Sequence, residues 1–276
     1  MTNVQRIRDA VLVAVVTLLC AISLKTFVVE AYRIPSGSME NTLLVGDLVL
    51  VDKLAYGLRT PGVLPLTERR IPSLPLLSFG HVRRGDVIVF EFTHRSPDGL
   101  PADLLYYVKR CIGIPGDTIA IRRGRVFVNG LEMLPPSTVI APRFRRIMHR
   151  EAMFPEGAGF TDIDYGPLRV PKKGDSLSLS PQTLPALRTL IAREGHAVDI
   201  ATDGSVLIDG APRNAYVVES DYYFVLGDHR DNSADSRMWG YVGREDIVGE
   251  AFLVYWSTVD DDGTHVRWDR VGSFVR

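Results

Sequence analysis

The chain has 276 residues, of which 46% are hydrophobic and 24% charged, the composition of an ordinary folded protein. Its formal net charge of −1 provides no basic surface of the kind that nucleic-acid binding needs, so we expect no nucleic-acid partner. Cys20 lies in an apolar N-terminal segment and Cys111 in a distant strand-like segment, which predicts no disulfide. The six histidines are scattered without metal-ligand spacing, so the sequence predicts neither a metal nor a cofactor.

The first predicted element is the apolar segment of residues 10–24, which contains no charged residue. A membrane-spanning helix needs about 20 residues, and Lys25 can lengthen the segment by extending its amine to the interface. Arg6 and Arg8 precede the segment, which favours a cytoplasmic N-terminus. A cleavable signal peptide with a small-residue site at 21–23 and a buried core helix are the alternatives. An anchor and a signal peptide both place the rest of the chain outside the cytoplasm.

A bend follows at residues 34–39, with the sequence IPSGSM. Pro35 fixes its own φ, and Gly37 can adopt backbone angles that other residues avoid, so the bend can be sharp and rigid. Most such strings are ordinary turns. The alternative is that one of the flanking serines, Ser36 or Ser38, is a nucleophile held in one pose close to the membrane.

Strands are predicted where branched and aromatic residues lie between turn residues. The predicted strands are residues 47–52, 86–92, 105–112 and 222–226, with a β-hairpin formed by 118–121 and 125–128 and a second hairpin pattern around 203–210.

Between these strands, residues 58–80 are predicted to be a loop and residues 131–175 to be irregular. The basic run at 143–146 is interpreted as a solvated face. Residues 184–194 predict a helix. The dominant period of two makes the soluble part mainly antiparallel β.

A serine hydroxyl needs a group that removes its proton. Alternation along the third predicted strand places Tyr107, Lys109 and Cys111 on one face, which carries no other charge. A desolvated lysine can be neutral and act as a base, whereas a lysine at a sheet edge extends its amine to solvent, and both interpretations stay open here. Lys53 and His229 are weaker candidates for the base.

Residues 227–237 contain almost no apolar side chain, although strand-like segments flank them. A solvated turn with surface ion pairs is one interpretation. A hydrogen-bond network that orients a catalytic group is the other, and the density of Asp, Asn, Ser and Arg favours it.

With these residues assembled, the chain resembles the type I signal peptidases, membrane-anchored serine proteases with a Ser/Lys dyad. The resemblance covers four separated blocks in order, at residues 32–39, 46–57, 84–117 and 227–240. Asn41 stands where a proline is common in that family, and His229 stands where asparagine is usual.

The resemblance implies a cytoplasmic N-terminus and transmembrane helix over residues 1–29 and an antiparallel β catalytic core from 30–121 and 220–276. It implies a smaller β-rich domain inserted at 122–219. The expected activity is removal of signal peptides from exported preproteins after small residues, of the Ala-x-Ala type. The catalytic part would face the extracytoplasmic side of a bacterial plasma membrane, with preproteins, membrane lipid and the export machinery as partners.

The resemblance also implies roles for individual residues. Ser38 would be the nucleophile and Lys109 its general base, with the Ser38 main-chain N–H and the Ser36 hydroxyl holding the oxyanion. Ser233 would hydrogen-bond the lysine amine, supported by Asp235 and Arg237. The pockets for alanine-like side chains would be lined by Ile34, Pro35, Met39, Leu43, Tyr107 and Val108. A self-cleaving or regulatory Ser/Lys protease and a non-catalytic, membrane-tethered peptide-binding module are the alternative functions.

Overall fold

The computed structural model describes residues 3–60, 75–91, 106–142, 153–259 and 263–276. Within these ranges the chain forms antiparallel sheets, one long N-terminal helix and two shorter helices. The helices are α1 (Asn3–Phe27), α2 (Leu184–Arg193) and α3 (Ser236–Trp239). The predicted fold class, mainly antiparallel β after an apolar N-terminal helix, is confirmed.

Helix α1 is the one helix in the described ranges that is long and apolar enough to cross a bilayer, over Val4–Phe27. Its most apolar stretch is not buried against any of the described residues. The core-helix alternative does not fit a helix that the described chain leaves uncovered. The helix ends at Phe27 and a strand begins at Val29, which fixes where the apolar segment gives way to the sheet.

The large sheet has eight strands, and they come from both halves of the chain. Its strands are β1 (Val29–Arg33), β2 (Asp47–Asp52), β5 (Val87–Glu91), β6 (Tyr106–Gly113), β16 (Tyr222–Leu226), β17 (Val242–Gly243), β18 (Ile247–Ser257) and β19 (Ser273–Phe274). The order is β1-β2-β18-β5-β6-β16-β17, with β19 paired to β18. The strands predicted at 47–52, 86–92, 105–112 and 222–226 are therefore confirmed within one or two residues.

Strand β18 is central to this sheet, and the sequence did not predict it. Its apolar alternation is interrupted by Gly249 and Glu250, and its register against β2 shifts at two positions. Gly249 is required because a Cβ there would lie 2.3 Å from the carbonyl oxygen of Asp52. Irregular strands of this kind hide the period of two on which prediction depends.

Smaller sheets cover the middle of the chain. A four-stranded sheet has the order β10 (Tyr165–Arg169), β7 (Thr118–Arg122), β8 (Arg125–Val128) and β9 (Leu131–Glu132). A three-stranded sheet has the order β12 (Val198–Ile200), β13 (Val206–Ile208) and β14 (Ala211–Pro212). Two further pairs are β11 (Ser176–Ser178) with β15 (Ala215–Val217), and β3 (Leu58–Arg59) with β4 (Pro75–Leu77). Both predicted hairpins and the predicted helix at 184–194 are confirmed.

Two predictions about irregular segments are wrong in part. The loop expected over 58–80 contains the paired strands β3 and β4, and the segment 131–175 contains β10, which pairs with β7. Strands β3 and β4 have too few residues to show a period, and Gly166 and Pro167 interrupt the pattern of β10. The basic run at 143–146 lies outside the described residues.

The predicted division into a catalytic core and an inserted domain at 122–219 stays a prediction. Strand β7, which the boundary at residue 121 assigns to the core, pairs with β8 and β10 rather than with the large sheet. One apolar cluster also joins the two parts, because Ile112 and Phe224 of the large sheet belong to the same cluster as Val126 of β8.

The N-terminal end of β2 is fixed by a fully buried carboxylate. Asp47 accepts hydrogen bonds from Ser257 Oγ at 2.6 Å, from the main-chain N–H of Leu44 at 2.8 Å, and from two nitrogens of Arg270. These contacts tie the segment after the 34–39 bend to the end of β18 and to the C-terminal segment. Removing one partner of such a buried pair leaves the other charge uncompensated.

We therefore predict that Asp47→Ala lowers the free energy of unfolding by about 3 kcal/mol, because Arg270 loses its partner. Asp199, exposed on β12, serves as the matched control, and Asp199→Ala should change it by less than about 0.5 kcal/mol. Urea unfolding of the detergent-solubilised protein measures both. Equal destabilisation by the two substitutions would contradict the prediction.

Candidate active site

The first residue of the bend at 34–39 is held against the start of β2. The Ile34 N–H donates to the Asp47 carbonyl at 2.9 Å, and the Ile34 carbonyl accepts from Gly46 at 3.0 Å. A single turn of 3-10 helix, Gly37–Met39, follows, and it buries Ser38 and Met39. The side chain of Ser36, which precedes this turn, makes no capping hydrogen bond with it.

Lys109 meets Ser38 in a buried corner. Its Nζ lies 2.7 Å from Ser38 Oγ and donates to the Val108 carbonyl at 3.1 Å. Lys109 is 3% exposed and Ser38 9%. Because β6 lies between β5 and β16, the lysine is not on an edge strand. The alternative in which Lys109 lies at a sheet edge and extends its amine to solvent is therefore not what the structure shows.

The predicted strand-face alternation agrees with the packing of β6. Lys109 Nζ lies 5.9 Å from the centroid of the Tyr107 ring, and Tyr107 and Cys111 pack with the same apolar cluster. Tyr106 and Val108 pack with a different cluster on the opposite side. The interpretation that singled out Lys109 from its neighbours therefore rests on the correct geometry.

Residues 227–229 form the back of the serine turn. The His229 N–H donates to the Ser38 carbonyl at 3.1 Å, and the Asp228 N–H donates to Met39 Sδ at 3.4 Å. A Cβ at Gly227 would lie 2.6 Å from the Ser38 carbonyl oxygen and 2.1 Å from Ser233 Oγ. Only glycine allows so close an approach, so this main chain is part of what positions Ser38.

Two buried ion pairs hold the polar run in place. Arg110 donates to both carboxylate oxygens of Asp228, at 2.8 and 2.6 Å. Arg237 donates in the same way to Asp235, at 2.9 and 2.8 Å, and Asp235 also accepts from the Gly227 N–H at 3.0 Å. The buried network is therefore confirmed, and the solvated turn is wrong. Its role in orienting a catalytic group stays a prediction.

The charge of Asp235 is fixed by its surroundings. Complete burial by itself would raise the pKa of this carboxyl. The adjacent Arg237 charge, its hydrogen bonds and the Gly227 N–H outweigh that effect and hold the pKa below its usual value. Asp235 is thus ionised across the range in which enzymes work.

Arg110 and Asp228 were not among the predicted site residues. Both lie within the blocks that carry the family resemblance, but 118 positions separate them. A single sequence contains no signal that pairs two residues so far apart. The one available hint that they pair was their opposite charge, with Arg110 in a strand-like segment and Asp228 in a turn-like one.

The two remaining serines lie close to Ser38. Ser36 Oγ lies 3.4 Å from Ser38 Oγ. Ser233 is 3% exposed, and its hydroxyl donates to the Ala234 carbonyl at 3.3 Å. Gly227 lies against both Ser233 Oγ and the Ser38 carbonyl oxygen, so all three serines lie at one corner. A hydrogen bond between Ser233 and the lysine amine stays a prediction.

A cleft of about 230 Å³ opens beside Ser38 and Lys109. Five of the six predicted pocket residues line it, namely Ile34, Pro35, Met39, Tyr107 and Val108. Leu43 does not, because the hydrogen-bonded turn after Met39 directs it into the core, where it is fully buried. Tyr32 and Tyr106 also line the cleft, and their ring centroids lie 4.8 Å apart.

The weaker candidates for the base have other partners. Lys53 Nζ donates to the Thr26 carbonyl at 2.8 Å and to Glu30 at 2.9 Å. His229 Nδ1 lies 2.9 Å from Glu40 Oε2. Of the three candidates for the base, Lys109 is the one whose side chain reaches the Ser38 hydroxyl.

In the described part of the chain, no group of three or more His, Cys, Asp or Glu side chains could hold a metal ion. The polar side chains that line the cleft with Ser38 include the Ser36 hydroxyl, the Lys109 amine and the Arg33 guanidinium. Two hydroxyls and an amine can support nucleophilic attack with proton transfer.

The chain is similar to proteins of known function. A family model described as signal peptidase, peptidase S26, matches residues 7–256. A signal peptidase I of Pseudomonas aeruginosa is 31% identical over 261 residues, which cover 90% of this chain and 72% of that protein. A signal peptidase I of Aquifex aeolicus is 31% identical over 251 residues, covering 87% and 80%. A crystal structure of a signal peptidase I from Enterococcus faecalis matches 63% of this chain and 98% of its own at 19% identity, with a TM-score of 0.32.

We predict that Gly227→Ala displaces the serine turn, because the added Cβ would meet main-chain as well as side-chain atoms. Labelling of Ser38 by a serine-directed acylating reagent should slow about tenfold or more, since small misplacements of a reacting group are costly. Gly130 provides the control, because its φ is +82° and an added Cβ there would have no heavy atom within 4 Å. Gly130→Ala should lower stability by about 1 kcal/mol and leave labelling unchanged. Wild-type labelling of Gly227→Ala would contradict the prediction.

Proposed function

This chain belongs to the signal peptidase family, peptidase S26, and we propose that it cleaves preproteins through a dyad of Ser38 and Lys109. Membership makes it a serine endopeptidase of the signal peptidase I type, which removes signal peptides. The observation that supports the dyad is the 2.7 Å contact between Lys109 Nζ and Ser38 Oγ in a buried corner.

In the first step, the neutral Lys109 amine accepts the proton of the Ser38 hydroxyl as Oγ forms a bond to the scissile carbonyl carbon. Burial disfavours a charged amine, which supports a neutral lysine before the reaction. The bidentate ion pairs behind the turn keep arginine and aspartate charges compensated among themselves.

The negative charge that develops on the carbonyl oxygen needs donors aimed at it. The Ser38 N–H belongs to the first turn of a helix, where main-chain N–H groups lack intrahelical partners. The Ser36 hydroxyl is not used as a cap and lies beside Ser38 Oγ. We assign the oxyanion to these two donors.

Collapse of the tetrahedral intermediate breaks the peptide C–N bond. The Lys109 ammonium returns its proton to the leaving amine, and an ester on Ser38 remains. Water then attacks the ester carbon and gives a proton to Lys109, which transfers it to Ser38 Oγ as the signal peptide's carboxylate leaves. Ser233, Asp235 and Arg237 are assigned the support of this corner.

The shape of the cleft supports a preference for small side chains of the Ala-x-Ala type. Tyr107 forms one wall, and its ring stacks on Phe90 at 5.8 Å and meets Trp239 edge-on at 5.4 Å. A wall packed in this way yields little, so a large substrate side chain would have to displace an aromatic cluster.

The exposed apolar helix α1 and the family together support a membrane anchor rather than a removed signal peptide. The basic residues Arg6 and Arg8 support a cytoplasmic N-terminus, which places the cleft on the extracytoplasmic side of a bacterial plasma membrane. Lipid around α1 and preproteins delivered by the export machinery are the partners that this topology requires.

We predict that Ser38→Ala and Lys109→Ala each reduce cleavage of a synthetic precursor peptide by about 10³-fold or more, because each removes one half of the dyad. Lys173→Ala, which removes an exposed lysine, should retain wild-type cleavage. Peptide cleavage by detergent-solubilised protein gives the rates, and thermal unfolding shows that the variants fold. Full activity of Lys109→Ala would contradict the dyad, and full activity of Ser38→Ala would contradict the serine mechanism.

A further inference from the structure

The apolar helix joins the large sheet almost without a linker. Helix α1 ends at Phe27 and β1 begins at Val29, so Val28 alone separates them. The Val28 N–H donates to the Leu24 carbonyl of the helix at 2.9 Å, and its own carbonyl accepts from the Lys53 N–H next to β2 at 2.9 Å. One residue is thus hydrogen-bonded to both elements, which restricts rotation at the joint.

The Lys53 side chain crosses this joint. Its Nζ donates to the Thr26 carbonyl at 2.8 Å and to Glu30 Oε2 at 2.9 Å, and the side chain is 12% exposed. Thr26 belongs to the last turn of α1, where carbonyls lack intrahelical donors and a positive charge is favourable. Lys53 therefore caps the helix and ion-pairs the first strand at once.

The contacts continue from the joint to the cleft. Glu30 Oε2 also accepts from the Tyr32 hydroxyl at 2.9 Å, and the Tyr32 ring packs against Tyr106 in the wall of the cleft. From Val29 to Arg33 the strand covers about 13 Å. One connected set of contacts thus links the end of the helix to the substrate cleft, and a single short strand separates the two.

We infer that Lys53 is a positioning residue that fixes the height of Ser38 above the bilayer and so selects which bond of a membrane-held preprotein is cut. This inference rests on the proposed function. The apolar part of a signal peptide stays in the membrane, so the bond it presents depends on distance from the membrane surface. A protease whose own helix lies in that bilayer can measure this distance only if the joint between helix and cleft is rigid.

A structural role for Lys53 would have a different consequence. A lysine that served stability alone would, when replaced, affect soluble and membrane-held substrates in the same proportion. A lysine that fixes height leaves cleavage of a soluble peptide intact and changes only the choice among bonds at different heights.

The test uses the full chain in lipid vesicles with three substrates. One is a soluble precursor peptide, the second a membrane-inserted preprotein, and the third the same preprotein lengthened by two residues between its apolar segment and its cleavage site. The variants are Lys53→Met, which keeps much of the side chain's length without its charge, and Lys53→Arg, which keeps the charge. Lys173→Met, at an exposed lysine, is the matched control.

For Lys53→Met we expect kcat/KM on the soluble peptide to stay within about twofold of wild type, while the preference for the natural over the lengthened preprotein falls about fivefold or more. Lys53→Arg should restore the preference, and Lys173→Met should not alter it. If Lys53→Met does not fold, Glu30→Gln removes the ion pair, keeps the cap and is expected to reduce the same preference.

An unchanged preference would overturn the inference, and so would an equal loss on all three substrates. Failure of the proposed function is seen separately, as wild-type protein that does not cut the soluble peptide or Ser38→Ala that still does.

Discussion

The hydrogen bond between Lys109 Nζ and Ser38 Oγ is the contact on which the rest of the site depends. It joins a strand of the large sheet to a turn 71 residues earlier, and it places an amine where water has little access. Burying an amine is unfavourable unless its polar partners are correctly placed. The turn is accordingly fixed from two sides, through Asp47 at its exit and the Gly227 main chain at its back.

The ion pairs behind the turn serve the same geometry. Arg110 with Asp228 and Arg237 with Asp235 are almost completely buried, and each uses both carboxylate oxygens. Such pairs gain little net stability, because desolvation offsets much of their attraction. We infer that they are present to hold residues 227–237 in one arrangement. The turn that follows Met39 differs locally from the family pattern. Asn41 has a φ of +72°, which the proline common at this position in the family cannot adopt.

The sequence predicts what depends on neighbouring residues. Strand 47–52, the face of Lys109 and the hairpin at 118–128 follow from alternation and turn residues, and the structure has all three. Strand β18 was missed because its bulges break the period. Leu43, which the resemblance implies as a pocket residue, lies in the core because the turn that follows Met39 directs it there. The pairing of Arg110 with Asp228 arises only from the folded sheet.

The most direct test of the account is the charge of the Lys109 amine. Lysine labelled with ¹³C at Cε reports by NMR whether each amine carries a proton, and Lys109→Met identifies the signal in the detergent-solubilised protein. The account predicts that Lys109 gives the signal of a neutral amine at neutral pH, when exposed lysines are charged. A Lys109 signal that remains that of an ammonium until the exposed lysines titrate would contradict it.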